Sequence, residues 1–332
     1  LYAFSEMFEE VKLAAGKQQA EVVCQSIARV IKVRPDLADV PLKFAEIFRK
    51  IKAVAGRSAG AACQVWACIL EARPALAEDL EFCLRIFREL KAAVVDSDAA
   101  FLALGQIIQK RPDLADRTGG LIELIAGIVT SEPRDSASIL EVLSYTIYDI
   151  PGLADKVPAL RAIANSAKNF TYLAYRLMRK ILKERPGLLQ KMPSLVKLFR
   201  AIGTLEYQDQ KDIYEFFIKE ASKAYLLAEN LPQFETIIKA APKMTLDTCR
   251  ALFDLLEKQP KLGMLIPELA VIAENGKGSV HHIYYTIAAI LGEEQNFAAL
   301  GKIINAEKSK TEALKVFVLL AERYRQELLD IF

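Results

Sequence analysis

Apolar residues recur along this chain in helical steps. Counting back from Pro35, Pro74, Pro112, Pro151, Pro186 and Pro260, the position four residues earlier holds Ile31, Leu70, Ile108, Ile147, Leu182 and Leu256. The position eight earlier holds Ile27, Trp66, Leu104, Leu143, Met178 and Leu252. Residues three and four apart share one face of an α-helix, so the pattern predicts a buried stripe on a helix that ends at each proline. The phrase around that end is itself repeated, as "VIKVRPDLADV" (30–40), "ILEARPALAED" (69–79) and "IIQKRPDLADR" (107–117).

The proline acts as a stop signal. It has no N–H to donate and biases the residue before it away from helical angles. Two residues on stands a leucine, as at Leu37, Leu76, Leu114, Leu153 and Leu188, placed to fold back over the last turn. The residue before the proline is arginine at Arg34, Arg73, Arg111 and Arg185, well placed for the terminal carbonyls and the negative end of the helix dipole. Near residue 225 the mark is lost: Tyr225 takes the proline's place in "KAYLLAENLP", while Leu227 and the upstream stripe through Phe217 remain.

A second amphipathic run follows each stop, in "FAEIFRKIKAV" (44–54), "LRIFRELKAAV" (84–94) and "LVKLFRAIGTL" (195–205), with Phe8, Phe48, Phe87 and Phe199 at its matching core position. Polar breaks such as "GRSAG" (56–60) and "SEPRDS" (131–136) then return the chain to the next stop-bearing helix. Each repeat of 35–39 residues therefore reads as a helical hairpin that cannot bury its apolar faces alone and must stack on its neighbours. The expectation is an all-α fold, an α-solenoid of about nine antiparallel helix pairs. It forms a single repeat domain over 1–332, with a degenerate repeat near 208–242 and a C-terminal cap over 293–332.

Helix-pair units of this length closing on a proline phrase resemble the HEAT and armadillo group of α-solenoids along essentially the whole chain. The segment "ILKERPGLLQKMPSLVKLFRAIG" (181–203) also resembles the leucine-and-proline repeats of the mitochondrial transcription termination factor family. The repeat length is similar to that of octotricopeptide-type organellar RNA binders. The first resemblance implies a surface for protein partners, the other two a surface for nucleic acid.

Charge then weighs between those partners. Against 44 Lys and Arg stand 42 Asp and Glu, a net charge of +2, so a nucleic-acid surface requires cations gathered on one face. Such a gathering is visible in the register. Arg49, Arg88, Arg200 and Lys239 fall at one position of the helix after the stop, and Lys52 and Lys91 lie one turn on. Stacking would line them into a basic ribbon, bounded by Glu9 in the first repeat, that serves either as a solvated flank over the core or as a grip for acidic protein or phosphates.

The residues that carry chemistry are sparse. Cys24, Cys63 and Cys249 share one register position with Phe101, Leu140, Tyr175 and Tyr214, which makes them core residues. The odd set of five cysteines, completed by Cys68 and Cys83, suits reduced thiols in the cytoplasm or an organelle matrix better than a disulfide framework. The adjacent His281 and His282 point to different sides of a helix, whereas a helical metal pair needs a spacing of three or four. "GKGS" at 276–279 lacks the phosphate-loop spacing. The most apolar run, 59–70, carries Gln64 and is short of the roughly 18 residues that cross a bilayer. Leu1 in place of Met hints at processing or truncation.

The sequence thus leads to a non-enzymatic scaffold or a subunit of a larger assembly that binds protein partners and needs no cofactor. An organellar RNA- or DNA-binding solenoid using the basic ribbon is the alternative.

Overall fold

The fold comes from a computed structural model. It describes residues 2–276 apart from 16, 40, 78, 95–97, 116–117, 221–229, 241–244 and 259–265, together with Val280 and Tyr284. Tyr225, the histidine pair and the C-terminal segment 293–332 lie outside the described residues. The described residues form α-helices joined by short 3-10 turns, with no strand among them. The protein is an all-α helical repeat whose helices pack in sequence order.

The chain divides into two compact units, Leu1–Ala164 and Asn165–Phe332. The first holds α1 (Tyr2–Ala15), α2 (Lys17–Val33), α3 (Pro41–Ala55), α4 (Ala59–Ala72), α5 (Leu80–Ala93), α6 (Asp98–Lys110), α7 (Thr118–Ser131), α8 (Ser136–Asp149) and most of α9 (Val157–Ala167). Helices α1, α3, α5 and α7 pack side by side as one layer, and α2, α4, α6 and α8 as a second. The second unit holds α10 (Thr171–Glu184), α11 (Met192–Gly203), α12 (Tyr207–Lys219), α13 (Leu231–Ala240), α14 (Thr245–Lys258) and α15 (Ile266–Gly276). There α10, α12 and α14 pack in order, as do α11, α13 and α15.

The stop phrase has one geometry wherever it is intact. Arg73, Arg111 and Arg185 close their helices at φ −144°, −133° and −136° with ψ near +80°, the extended angles that a following proline imposes. Each donates its own N–H to the carbonyl four residues back at 2.8–2.9 Å, and its carbonyl accepts from the N–H of the leucine three residues ahead at 3.0 Å. That second bond winds the chain into a 3-10 turn, as in Pro35–Asp39, Pro74–Ala77 and Pro186–Lys191. Leu37, Leu114, Leu153 and Leu188 are buried beneath these turns, and Leu76 is half-buried.

Side chains fill the space between layers as the periodicity requires. Trp66, Leu104, Leu143, Met178, Phe217 and Leu252 are all at most 3% exposed. Aromatic edges join the two helices of a pair, Phe44 to Trp66 at 6.2 Å and Phe87 to Phe101 at 5.8 Å between centroids. Burial of each such side chain stabilises the fold by about 1.5–3 kcal/mol.

The first repeat departs from the predicted register. Phe8 is 44% exposed, whereas Phe48, Phe87 and Phe199 are buried. Ile31 and Cys24 are only half-buried. The reason is positional. Helices α3 to α6 pack on a neighbour to either side, while among the described residues α1 and α2 have a following pair and no preceding one.

Two arginines of the stop phrase also hold carboxylates in place of the terminal carbonyls expected from the sequence. Arg34 grips Asp36, and Arg111 grips Asp113, through two-pronged bonds of 2.6–2.9 Å across the intervening proline. The fixed fork of guanidinium favours this carboxylate.

Candidate partner-binding surfaces

The basic ribbon resolves into pieces. Arg49 and Lys52 are exposed on α3, Arg88 is exposed and Lys91 half-buried on α5, and α3 packs directly on α5. In the second unit Arg200 on α11 and Lys239 on α13 are exposed, again on packed neighbours. At the matching position α7 carries Ala126 and α9 carries Asn165, so the row of cations is interrupted between these pieces along the chain.

Carboxylates are threaded through the same helices. Lys50 pairs with Glu46 at 2.9 Å, Arg88 with Glu81 at 3.0 Å and Lys239 with Glu235 at 2.6 Å, all within one or two turns of their own helix. Lys50 holds the Glu46 carboxyl below its ordinary range. Exposed pairs of this kind contribute little to stability, but they divide the cationic field into short stretches.

The opposite layer holds contacts between successive repeats. Arg29 on α2 reaches Glu71 on α4 through two bonds of 2.6–2.8 Å and also donates to the Cys68 sulfur at 3.4 Å. The bond to Glu71 raises the Arg29 pKa further, so the guanidinium stays charged. Within the second unit Lys180 on α10 donates to the Ile218 carbonyl on α12 at 2.8 Å, and in the layer of α3 and α5 the α7 residue Glu123 is bonded by Arg161 on α9.

Between α6 and α8, in the layer of α2 and α4, the contact is aromatic. The Lys110 ammonium lies 4.0 Å from the Tyr145 ring centre and 4.7 Å from that of Tyr148. Both tyrosines are exposed, at 41% and 53%. Sequence reasoning missed this cluster. Its signal is two tyrosines three residues apart, at stripe positions where other repeats carry Arg29, Lys180 or Lys183.

The thiols are core residues with one partial exception. Cys63, Cys68, Cys83 and Cys249 are buried and Cys24 half-buried, all as free thiols. Burial pushes Cys83 and Cys249 up to about 12 and raises Cys63 further, away from the thiolate form that attacks or ligates. Cys68 is raised by burial as well, in spite of Arg29 beside it.

Tyr207 is 62% exposed and packs on Phe170 at 4.7 Å beside an acidic stretch. There burial first, then Glu206, Asp212 and Asp247, raises the Asp209 carboxyl. One helical stretch, 42–72, has the length and apolar character to cross a membrane. Most of that stretch is buried in the fold, and left-handed Gly56 (φ 62°) interrupts it.

Compared with family models, curated proteins and solved structures, the chain matches none.

Proposed function

We propose that the chain is a non-enzymatic scaffold, or a helical subunit of a larger assembly, that holds protein partners on the outer faces of its helix pairs. One observation supports this reading: helices pack in sequence order, so that α3, with Arg49 and Lys52, lies against α5, with Arg88 and Lys91. Such rows give a surface long enough for a partner to be read at several points. The raised thiols of Cys63, Cys83 and Cys249 support a packing role for these residues rather than a nucleophilic one. The five free cysteines suit a reducing compartment, cytoplasm or organelle matrix.

A second reading, nucleic-acid binding, draws on the same exposed cations of α3 and α5. It is weakened by Glu46 and Glu81, which pair with cations of those helices, and by the break in the row at Ala126.

The deciding experiment is native co-purification at moderate salt, read in parallel by protein mass spectrometry and by sequencing of nuclease-protected fragments. A stoichiometric set of proteins without enriched nucleic acid is the expected result. A defined RNA or DNA fragment, with affinity that falls steeply as salt rises and falls further in an Arg49→Ala, Arg88→Ala, Arg200→Ala variant, would replace the scaffold reading with the second.

A further inference from the structure

Three of the exposed large apolar side chains among the described residues sit on two packed helices, Leu102 on α6 and Tyr145 and Tyr148 on α8. Helical spacing puts Leu102, Gln106, Gln109 and Lys110 along one side of α6, and Glu141, Tyr145 and Tyr148 along one side of α8. All but Lys110 are exposed, so these sides form one solvent-facing strip. Lys110 ties the two helices together from within it.

The strip departs from the rest of its layer. Between α2 and α4 the cation of Arg29 meets the Glu71 carboxylate. Lys110 instead rests against two ring faces, which attract its charge, and among the described residues its three N–H donors have no oxygen acceptor. A positioned ammonium flanked by two exposed tyrosines, on a strip that also carries exposed Leu102, has the makeup of an interface centre. Tyrosine adds large contact area with few torsions to freeze.

We infer that this strip of α6 and α8 docks a protein partner presenting a carboxylate flanked by apolar side chains, an inference that rests on the scaffold reading and names its contact face. The carboxylate complements Lys110 in a charge-assisted hydrogen bond, and the apolar neighbours cover Leu102 and the tyrosine rings. Nucleic-acid bases fit less well. A base would stack on the ring faces that the ammonium already covers, whereas a carboxylate adds to the arrangement as it stands.

The test is a selection of phage-displayed, helix-length random peptides on the intact chain, followed by affinity measurements against Tyr145→Ala, Tyr148→Ala and Lys110→Glu. All three changes lie on the surface strip, and circular dichroism confirms that each variant folds. The expected peptides carry Asp or Glu beside Leu, Ile or Phe and lose at least about tenfold in affinity on every variant. Replacing the peptide carboxylate by lysine should restore binding to Lys110→Glu, which a merely structural role for Lys110 would not produce. Absence of any enriched peptide, peptides without an acid, or equal binding to the variants overturns the inference. So does self-association of the chain that Tyr148→Ala abolishes, which would make the occupant a second copy. The two readings fail separately. If a stoichiometric partner co-purifies equally with the native chain and with the triple variant, this face is wrong and the scaffold stands; if the native chain brings down no protein partner, the scaffold reading itself falls.

Discussion

Arg34 and Pro74 are bonded across successive repeats: the Nη1 of Arg34 donates to the Pro74 carbonyl at 3.1 Å while its Nε and Nη2 hold Asp36. One stop signal is thereby fastened to the next, since Pro74 occupies in its repeat the place of Pro35. Replacing Arg34 by Ala should lower stability by about 1 kcal/mol through loss of the bond to the carbonyl, read as a lower urea midpoint. Arg34→Lys should fall between, because one ammonium cannot serve a carboxylate fork and a carbonyl together. The pH sign also follows. Hydrogen bonding to Arg34 holds the Asp36 carboxyl low, so its contribution is present above the unfolded carboxylate range and is lost as pH falls through the folded value. The difference between native chain and Arg34→Ala should therefore narrow in acid.

Gly203 closes α11 against the last turn of α9. A methyl group there would collide with the backbone carbonyl of Ser166, which cannot swing aside as a side chain would. Gly203→Ala should cost about 2 kcal/mol or more, as overpacking against fixed backbone does. Gly127, inside α7, has nothing within 4 Å of the corresponding position, so Gly127→Ala should raise stability by about 0.5–1 kcal/mol through helix propensity alone. Opposite shifts of the thermal midpoint in the two variants would check the packing argument directly.

Lys168 occupies a glycine's place. It opens the 3-10 turn Lys168–Phe170 at φ 46°, as Gly56 opens Gly56–Ser58 at φ 62°, and each turn leads into the second helix of its pair. A left-handed backbone costs a residue with a Cβ about 1 kcal/mol. Lys168→Gly should thus stabilise the fold by up to about that amount, and Gly56→Ala should destabilise it similarly. If neither denaturation midpoint moves, these turns are not held as described.

The layers were legible because burial demands a period. Trp66, Leu104, Leu143 and Met178 fall where spacing of three and four residues puts them, and every one is buried. What the pattern does not show is how the first helix is turned, so Phe8 falls at a predicted core position while Met7 and Val11 are the described residues of α1 that are buried. Polar partners were hidden for another reason. Arg29 and Glu71 are 42 residues apart, and Lys110 and Tyr145 stand at different register positions, so neither pair leaves a local mark. The arginine ahead of four of the six prolines is visible in the sequence, but its grip on a carboxylate requires an aspartate two residues on, which Arg34 and Arg111 have and Arg73 and Arg185 lack. The cations of α3 and α5 recur in the register of the sequence, while the gap at Ala126 follows only when α7 is carried through the same register.

The buried thiols give the fold an alkaline limit. Cys83 and Cys249 lie in the core, where burial lifts their pKa from 9.0 to about 12. In the unfolded chain the same thiols ionise near their ordinary value. As pH rises between the two values the unfolded state binds fewer protons than the folded one, so stability must fall with pH. Each thiol's contribution is complete below the unfolded pKa and is lost as pH rises through the folded one, with a slope on the order of 1 kcal/mol per pH unit between them. Urea midpoints measured from neutral to strongly alkaline solution should trace that decline. Cys83→Ala should begin less stable at neutral pH, because it leaves a small cavity, and then decline less steeply than the native chain. Parallel curves would mean that Cys83 meets hydroxide as readily in the folded chain as in the unfolded one, which its place between Leu84, Phe87 and the rest of the α5 core does not permit.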